Sequence, residues 1–83
     1  MYKIKIAPKA ESQLKRLKIK YRLSLSLIID DLKEDPFMGK PLERNFTGKY
    51  SYRIGIYRII YRIRQKEKLV EIISAGHRSV VYN

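Results

Sequence analysis

Residues 48–63 read G-K-Y-S-Y-R-I-G-I-Y-R-I-I-Y-R-I. Tyr50, Tyr52 and Ile54 alternate with Ser51 and Arg53; Tyr57, Ile59, Tyr61 and Ile63 alternate with Arg58, Ile60 and Arg62. Alternation of period two is the pattern of a half-buried strand. Gly55-Ile56 separates the two runs, and glycine at the first place of a two-residue loop suits a type II′ hairpin turn. With that loop, Ile54 opposes Tyr57, Arg53 opposes Arg58, Tyr52 opposes Ile59 and Tyr50 opposes Tyr61. One face of the hairpin is aromatic and aliphatic. Its tyrosines, Tyr50, Tyr52, Tyr57 and Tyr61, are expected in the core rather than on a base-stacking platform. The other face carries Ser51, Arg53, Arg58, Ile60 and Arg62.

Like charges directly opposed on paired strands destabilise the pair, by roughly 0.2–1 kcal/mol on the scale of cross-strand effects. A chain that keeps Arg53 opposite Arg58 is expected to gain elsewhere. Residues 44–66 contain no Asp or Glu, so the concentration of charge is local. A basic strand face can act merely to prevent edge-to-edge pairing. Arginine's planar fork, however, matches phosphate oxygens, and opposed arginines point to a phosphate-binding concavity.

Outward from the hairpin, residues 65–68 form a polar turn and residues 69–75 a third strand run. A four-residue loop pairs Ile63 with Val70, Arg62 with Glu71, Tyr61 with Ile72 and Arg58 with Ala75. That register gives Arg62 a carboxylate partner. It also brings His77 and Arg78, just past the strand, to the end of the sheet that holds Arg53 and Arg58.

Toward the N-terminus, Tyr2-Lys3-Ile4-Lys5-Ile6 again alternates with period two and reads as a strand. Pro8 suits the first turn of a helix, where its missing N–H costs nothing. Ala10, Leu14 and Leu17 recur at helical spacing, with Glu11 early and Lys15, Arg16 and Lys18 late, as the helix dipole prefers. The spacing predicts a helix from residue 8 to about 19. Residues 21–35 hold L-S-L-S-L, which alternates like a strand, but Leu25, Ile28, Ile29 and Leu32 recur like a helix. Length and the Pro36 stop favour a helix. Residues 37–47 lack any period and read as a loop. Lys15, Arg16, Lys18, Lys20 and Arg22 form a further basic run, open to reading either as a solvated helix face or as a contact with a polyanion.

The expected architecture is therefore α+β in two layers. An N-terminal strand and two helices precede a three-stranded antiparallel meander that completes a four-stranded sheet, all in a single domain over residues 1–83. The chain has no cysteine, which excludes disulfides, a Cys-type zinc site and a thiol nucleophile. No run approaches the roughly 20 apolar residues of a membrane span, and the first residues lack the apolar region of a signal peptide, so a cytoplasmic location and no membrane partner are expected. Nineteen Lys and Arg against eight Asp and Glu give a formal charge of +11. Such an excess repels itself in a compact fold and calls for a polyanionic partner or an acidic protein cap.

The chain resembles the RelE/ParE superfamily of type II toxins, and within it the RelE-like messenger RNA endonucleases. The resemblance covers nearly the whole length. It rests on the helix pair closing in E-D-P before Gly-Lys-Pro-Leu, on the hairpin sequence above, and on the ending I-I-S-A-G-H-R-S-V-V-Y. It implies a ribosome-dependent ribonuclease that cuts mRNA in the decoding site, in contact with ribosomal RNA, and is silenced by a cognate antitoxin whose acidic segment wraps the toxin. Cleavage in such enzymes proceeds by attack of the RNA's own 2′-OH on the adjacent phosphate, so the chemistry asks for no metal or cofactor.

Carried over by position, Arg58 matches the arginine on the scissile phosphate, Arg78 the one that follows the third core strand, and Tyr82 the near-terminal catalytic tyrosine. His77 stands in the G-H-R motif, and histidine as a residue type suits an acid or base; a phosphate contact or a strand-end cap is the alternative. Tyr82, with an ordinary pKa near ~10, would need neighbouring cations to act as a base, and base stacking is its alternative. Arg53, Ser51, Arg62 and Lys49 are the expected substrate contacts. Ser51 departs from the family pattern, since many relatives carry Lys or Arg there. Two other functions fit the same resemblance: a ParE-like inhibitor of DNA gyrase, and a non-catalytic RNA- or ribosome-binding module.

Overall fold

The computed structural model describes residues 1–42 and 48–77. Strand β1 (Lys3–Ile6) leads through Ala7 into helix α1 (Pro8–Lys15), with Pro8 in the first turn. Helix α2 (Ile19–Glu34) follows, then a single 3-10 turn over Pro36–Met38. Strands β2 (Lys40–Pro41), β3 (Lys49–Ile54), β4 (Tyr57–Arg64) and β5 (Leu69–His77) complete the described residues. The sheet order is β1-β5-β4-β3-β2, with β1 parallel to β5 and the other pairs antiparallel.

The helices cover one face of this sheet. Ala10, Leu25, Ile28, Ile29 and Leu32 from the helices pack against Ile59, Tyr61, Val70, Ile72 and Ala75, and Tyr50, Tyr52 and Tyr57 border that core. The tyrosines therefore lie on the buried side, as their alternation predicts. The L-S-L-S-L stretch is helical because Leu25, with Ile28, Ile29 and Leu32, packs into the core, while its serines turn in on the backbone. Ser24 Oγ donates to the Lys20 carbonyl at 3.1 Å and Ser26 Oγ to the Arg22 carbonyl at 3.0 Å, the back-bond that lets serine sit within a helix.

Three expectations need correction. The first helix ends at Lys15 rather than near residue 19, because the Arg16 and Leu17 amides bond three residues back, to Gln13 and Leu14, and Lys18 is extended (ψ 148°) at the start of α2. Among the described residues the sheet has five strands rather than four. Lys40 and Pro41, within the stretch expected to be loop, pair with Ser51 and Tyr50. Two residues are too few to carry a period, so nothing in the local sequence marks them as strand.

The third correction concerns β5. The register runs as expected through Ile63–Val70, Arg62–Glu71 and Tyr61–Ile72, and is then broken by a bulge, so that Ile60 faces Ser74, Ile59 faces Ala75, Arg58 faces Gly76 and Tyr57 faces His77. The extra residue is Ile73. Because side chains alternate, one inserted residue exchanges the faces of everything beyond it. Val70, Ile72 and Ala75 can all reach the same core only because of this slip. The Ala75 amide, next to the bulge, donates to Gln13 Oε1 of α1 at 2.9 Å.

Candidate functional site

The face turned away from the helices is built from positions of every strand. The registers place Lys3 and Lys5 of β1, Lys40 of β2, Lys49, Ser51 and Arg53 of β3, Arg58, Ile60, Arg62 and Arg64 of β4, and Glu71, Ser74 and Gly76 of β5 on this side. Among the described residues of that face, Glu71 is the one carboxylate. Its partner is Arg64, at 3.5 Å. Arg62, although directly opposite Glu71 in register, is not the arginine it pairs with, which corrects the expected Arg62–Glu71 ion pair.

Arg53 and Arg58 do face one another across the hairpin. The turn is the expected one: Gly55 has φ 58°, and Ile56 keeps the ordinary negative φ that the second place of a type II′ turn requires. Arg53 is exposed, whereas Arg58 is half-buried. Opposite Arg58 on its other side stands Gly76, with φ 146°, a conformation open to glycine. No side chain from β5 therefore crowds Arg58 from that position.

Between the cations runs a short, buried row. Ser51, Ile60 and Ser74 face one another across three strands and are only 8, 2 and 3% exposed. Beside Ser51 the surface sinks into a cleft of about 540 Å3, lined by Met38, Gly39, Lys40, Leu42, Ser51, Tyr52, Arg53 and Arg58. A second hollow of about 540 Å3 lies at the other end of the hairpin and includes Arg62, Arg64 and Lys66 together with Glu67. Among the described residues the first gathers cations without a carboxylate, which makes it the better seat for a phosphate.

The wall of the first cleft is fixed from beneath by Tyr61. Its hydroxyl donates to the Pro36 carbonyl at 2.7 Å and accepts from the Gly39 amide at 3.0 Å, so one buried phenol ties down the turn that precedes β2. A Cβ added at Gly39 would collide with the Tyr61 hydroxyl and crowd the Ser51 carbonyl. Burial pushes the Tyr61 pKa up to about 12, opposed only in part by the hydrogen bond from Gly39. The phenol is thus a neutral structural post at physiological pH. Its ring stacks on Tyr50 at 5.6 Å, and Phe37 meets Tyr50 edge-on at 6.1 Å.

The structure brings together Arg53, Arg58 and Ser51, with Lys49 and Arg62 facing each other one step further along the same side. It places His77 differently. His77 is the last residue of β5 and reaches the expected end of the sheet, but it stands opposite Tyr57, its ring 6.2 Å from that ring and edge-on to it. Tyr57 in turn leans on Tyr21 of α2 at 4.6 Å. The bulge at Ile73 therefore carries His77 to the helix side, away from the face of Arg58. Arg78 and Tyr82 lie outside the described residues, as do residues 43–47. Lys40 lines the cleft although the sequence pattern did not mark it; the one signal that could have found it is the G-K-P stretch, whose lysine and proline form a strand pairing too short to detect.

Among the described residues, no three His, Cys, Asp or Glu side chains gather closely enough to hold a metal ion, and no helix is long and apolar enough to cross a membrane.

Comparison with known proteins adds the following. Residues 4–82 match the family described as the ParE toxin of type II toxin–antitoxin system, parDE. Toxin RelE of Mycobacterium tuberculosis is 34% identical over 83 residues, which span 98% of this chain and 86% of that protein. Toxin RelG of the same organism is 42% identical over 53 residues, covering 63% of this chain and 61% of RelG, so that match spans less than two thirds of the relative. Among solved structures, the RelBE2 toxin–antitoxin complex of M. tuberculosis superposes with a TM-score of 0.86 at 32% identity, over 93% of this chain and 98% of that one.

Proposed function

Because the chain belongs to the ParE toxin family of type II toxin–antitoxin systems, we propose that it is the toxin of such a pair and acts as an endoribonuclease on messenger RNA held in the ribosomal decoding site. The observation that carries this reading is the directly opposed Arg53–Arg58 pair beside a cleft whose described lining holds cations and no carboxylate. Opposed cations cost stability, and a bridging phosphate offsets that cost.

The reaction divides into tasks that these residues fit. The 2′-OH of the RNA attacks the adjacent phosphorus, the O2′–P bond forms and the P–O5′ bond breaks, leaving a 2′,3′-cyclic phosphate and a 5′-OH. The nucleophile belongs to the substrate, so the protein supplies charge stabilisation and proton transfer, and no cofactor is called for. Arg58, half-buried in the sheet, is aimed at the charge that develops on the phosphorane. Arg53 and, one step along, Lys49 and Arg62 hold the flanking phosphates. Arg78 and Tyr82 are assigned from the sequence: the first as a second clamp on the scissile phosphate, the second as the group that handles a proton. His77, turned toward Tyr57, is assigned to the strand end, and His77→Ala is expected to change cleavage less than Tyr82→Phe.

The proposed partners follow from charge. A cognate antitoxin with an acidic segment covers the cationic face, much as the structural relative is recorded in complex with its own antitoxin. Ribosomal RNA and message supply the polyanion in its absence, which places the action in the cytoplasm.

An in vitro translation reaction, with the message mapped by primer extension, tests the reading. Codon-positioned cuts that vanish in Arg58→Ala and Arg78→Ala are the expected result. Intact message together with inhibited DNA supercoiling would replace it with the gyrase reading. Intact message and ribosomes that still bind the protein would leave a binding module.

A further inference from the structure

Lys40 is the cation of the cleft that the sequence pattern left without a role. It stands on the two-residue strand β2, directly opposite Ser51. Opposed residues of an antiparallel pair bring their Cβ atoms within about 4.5–5.5 Å on the same face, so the lysine stem rises beside the serine. The row it heads, Ser51, Ile60 and Ser74, carries no charge of its own. Lys40 lines the cleft together with Arg53 and Arg58, and among the described residues it takes part in no ion pair.

The position of Lys40 is held with unusual investment. A two-residue edge strand has little intrinsic stability, yet the turn before it is tied by both hydrogen bonds of the buried Tyr61 hydroxyl, and Gly39 leaves no room for a side chain between that hydroxyl and Ser51. Leu42, just past Pro41, donates to the Lys49 carbonyl at 2.9 Å and closes the ladder. We propose that Lys40 is a phosphate ligand of the cleft, bringing to the row of Ser51 the positive charge that Ser51 does not supply. An edge lysine can instead serve only to discourage strand pairing between molecules, and relocating the charge separates the two roles. The inference takes the identity of the polyanion, single-stranded RNA, from the reading above.

The test uses the full chain and two readouts. The first is binding of an uncleavable 2′-O-methyl RNA dodecamer across a salt series. Lys40→Met is expected to weaken binding at least threefold at low salt and to reduce the slope of log K against log salt by about 0.7, the loss of one phosphate contact on a single strand. Lys40→Arg should keep both. The double variant Lys40→Met/Ser51→Lys should recover them, since it returns a cation to the same row from the facing strand. The second readout is message cutting on ribosomes, expected to fall at least tenfold in Lys40→Met and to recover in the double variant. Thermal melts of all variants confirm that each is folded. Wild-type affinity, slope and cutting in Lys40→Met would overturn the proposal, as would failure of Ser51→Lys to restore either. A wild-type protein that binds RNA but cuts no message would sink the nuclease reading, while the salt slope still decides the role of Lys40.

Discussion

At the scale of single residues, Arg58 and Tyr61 sit one on each face of β4, the first proposed for the chemistry and the second tying down the scaffold. Arg58→Ala should lower the rate of cutting by about 10²–10³, the usual effect of removing one donor aimed at developing charge, with Arg62→Ala well behind it. Single-turnover cutting on programmed ribosomes measures both. Tyr61→Phe should leave the ring stacked on Tyr50 but strip the Gly39 amide of its acceptor, at roughly 1–3 kcal/mol. The same variant carries a pH signature. The phenol ionises near 10 in an unfolded chain and at about 12 in the fold, so between those values the unfolded chain binds fewer protons and folding weakens. The contribution of Tyr61 is complete below about pH 10 and is lost as pH rises toward 12. Urea melts from pH 8 to 12 should therefore show a wild-type decline that is shallower in Tyr61→Phe.

At the scale of elements, β2 and the bulge in β5 decide where the site's side chains point. Gly39→Ala should force the turn away from Tyr61 and Ser51, at roughly 1–3 kcal/mol of overpacking, and free the Leu42 amide from Lys49. Hydrogen exchange at Leu42 should rise in that variant while the amides of the β4–β5 ladder keep their protection. These elements also mark the limit of what the sequence discloses. The hairpin of β3 and β4 was legible residue by residue, because alternation and Gly55 fix its register and therefore the Arg53–Arg58 pair. The core face of α2 was legible from Leu25, Ile28, Ile29 and Leu32. The bulge was not, because Ile73 between Ile72 and Ser74 continues an apolar strand without a break. Its cause is tertiary: Ala75 reaches the core under α1 and gives its amide to Gln13. From that one slip follows the misplacement of His77, and from the brevity of β2 the omission of Lys40.

At the scale of the molecule, the two faces of the sheet are chemically opposite. One buries the tyrosines and the helices' leucines and isoleucines; the other presents Lys3, Lys5, Lys40, Lys49, Arg53, Arg58, Arg62 and Arg64 with a single described carboxylate. The formal charge of +11 is thus given a direction. Binding of single-stranded RNA should fall with salt at a slope of about −2 to −3, as three to four neutralised phosphates imply. Paired substitution of Arg53 and Arg58 by alanine should flatten that slope more than paired substitution of Lys3 and Lys5, which lie at the far edge of the sheet.

The central claim is that this face cuts RNA by turning the substrate's own hydroxyl on its phosphate. Ribosomes programmed with a message that carries one 2′-deoxynucleotide immediately 5′ to the mapped scissile phosphate test it most directly. The account predicts that cutting at that phosphate disappears while the all-ribose message is cut to a 2′,3′-cyclic phosphate and a 5′-OH. Undiminished cutting of the deoxy-substituted message would contradict it.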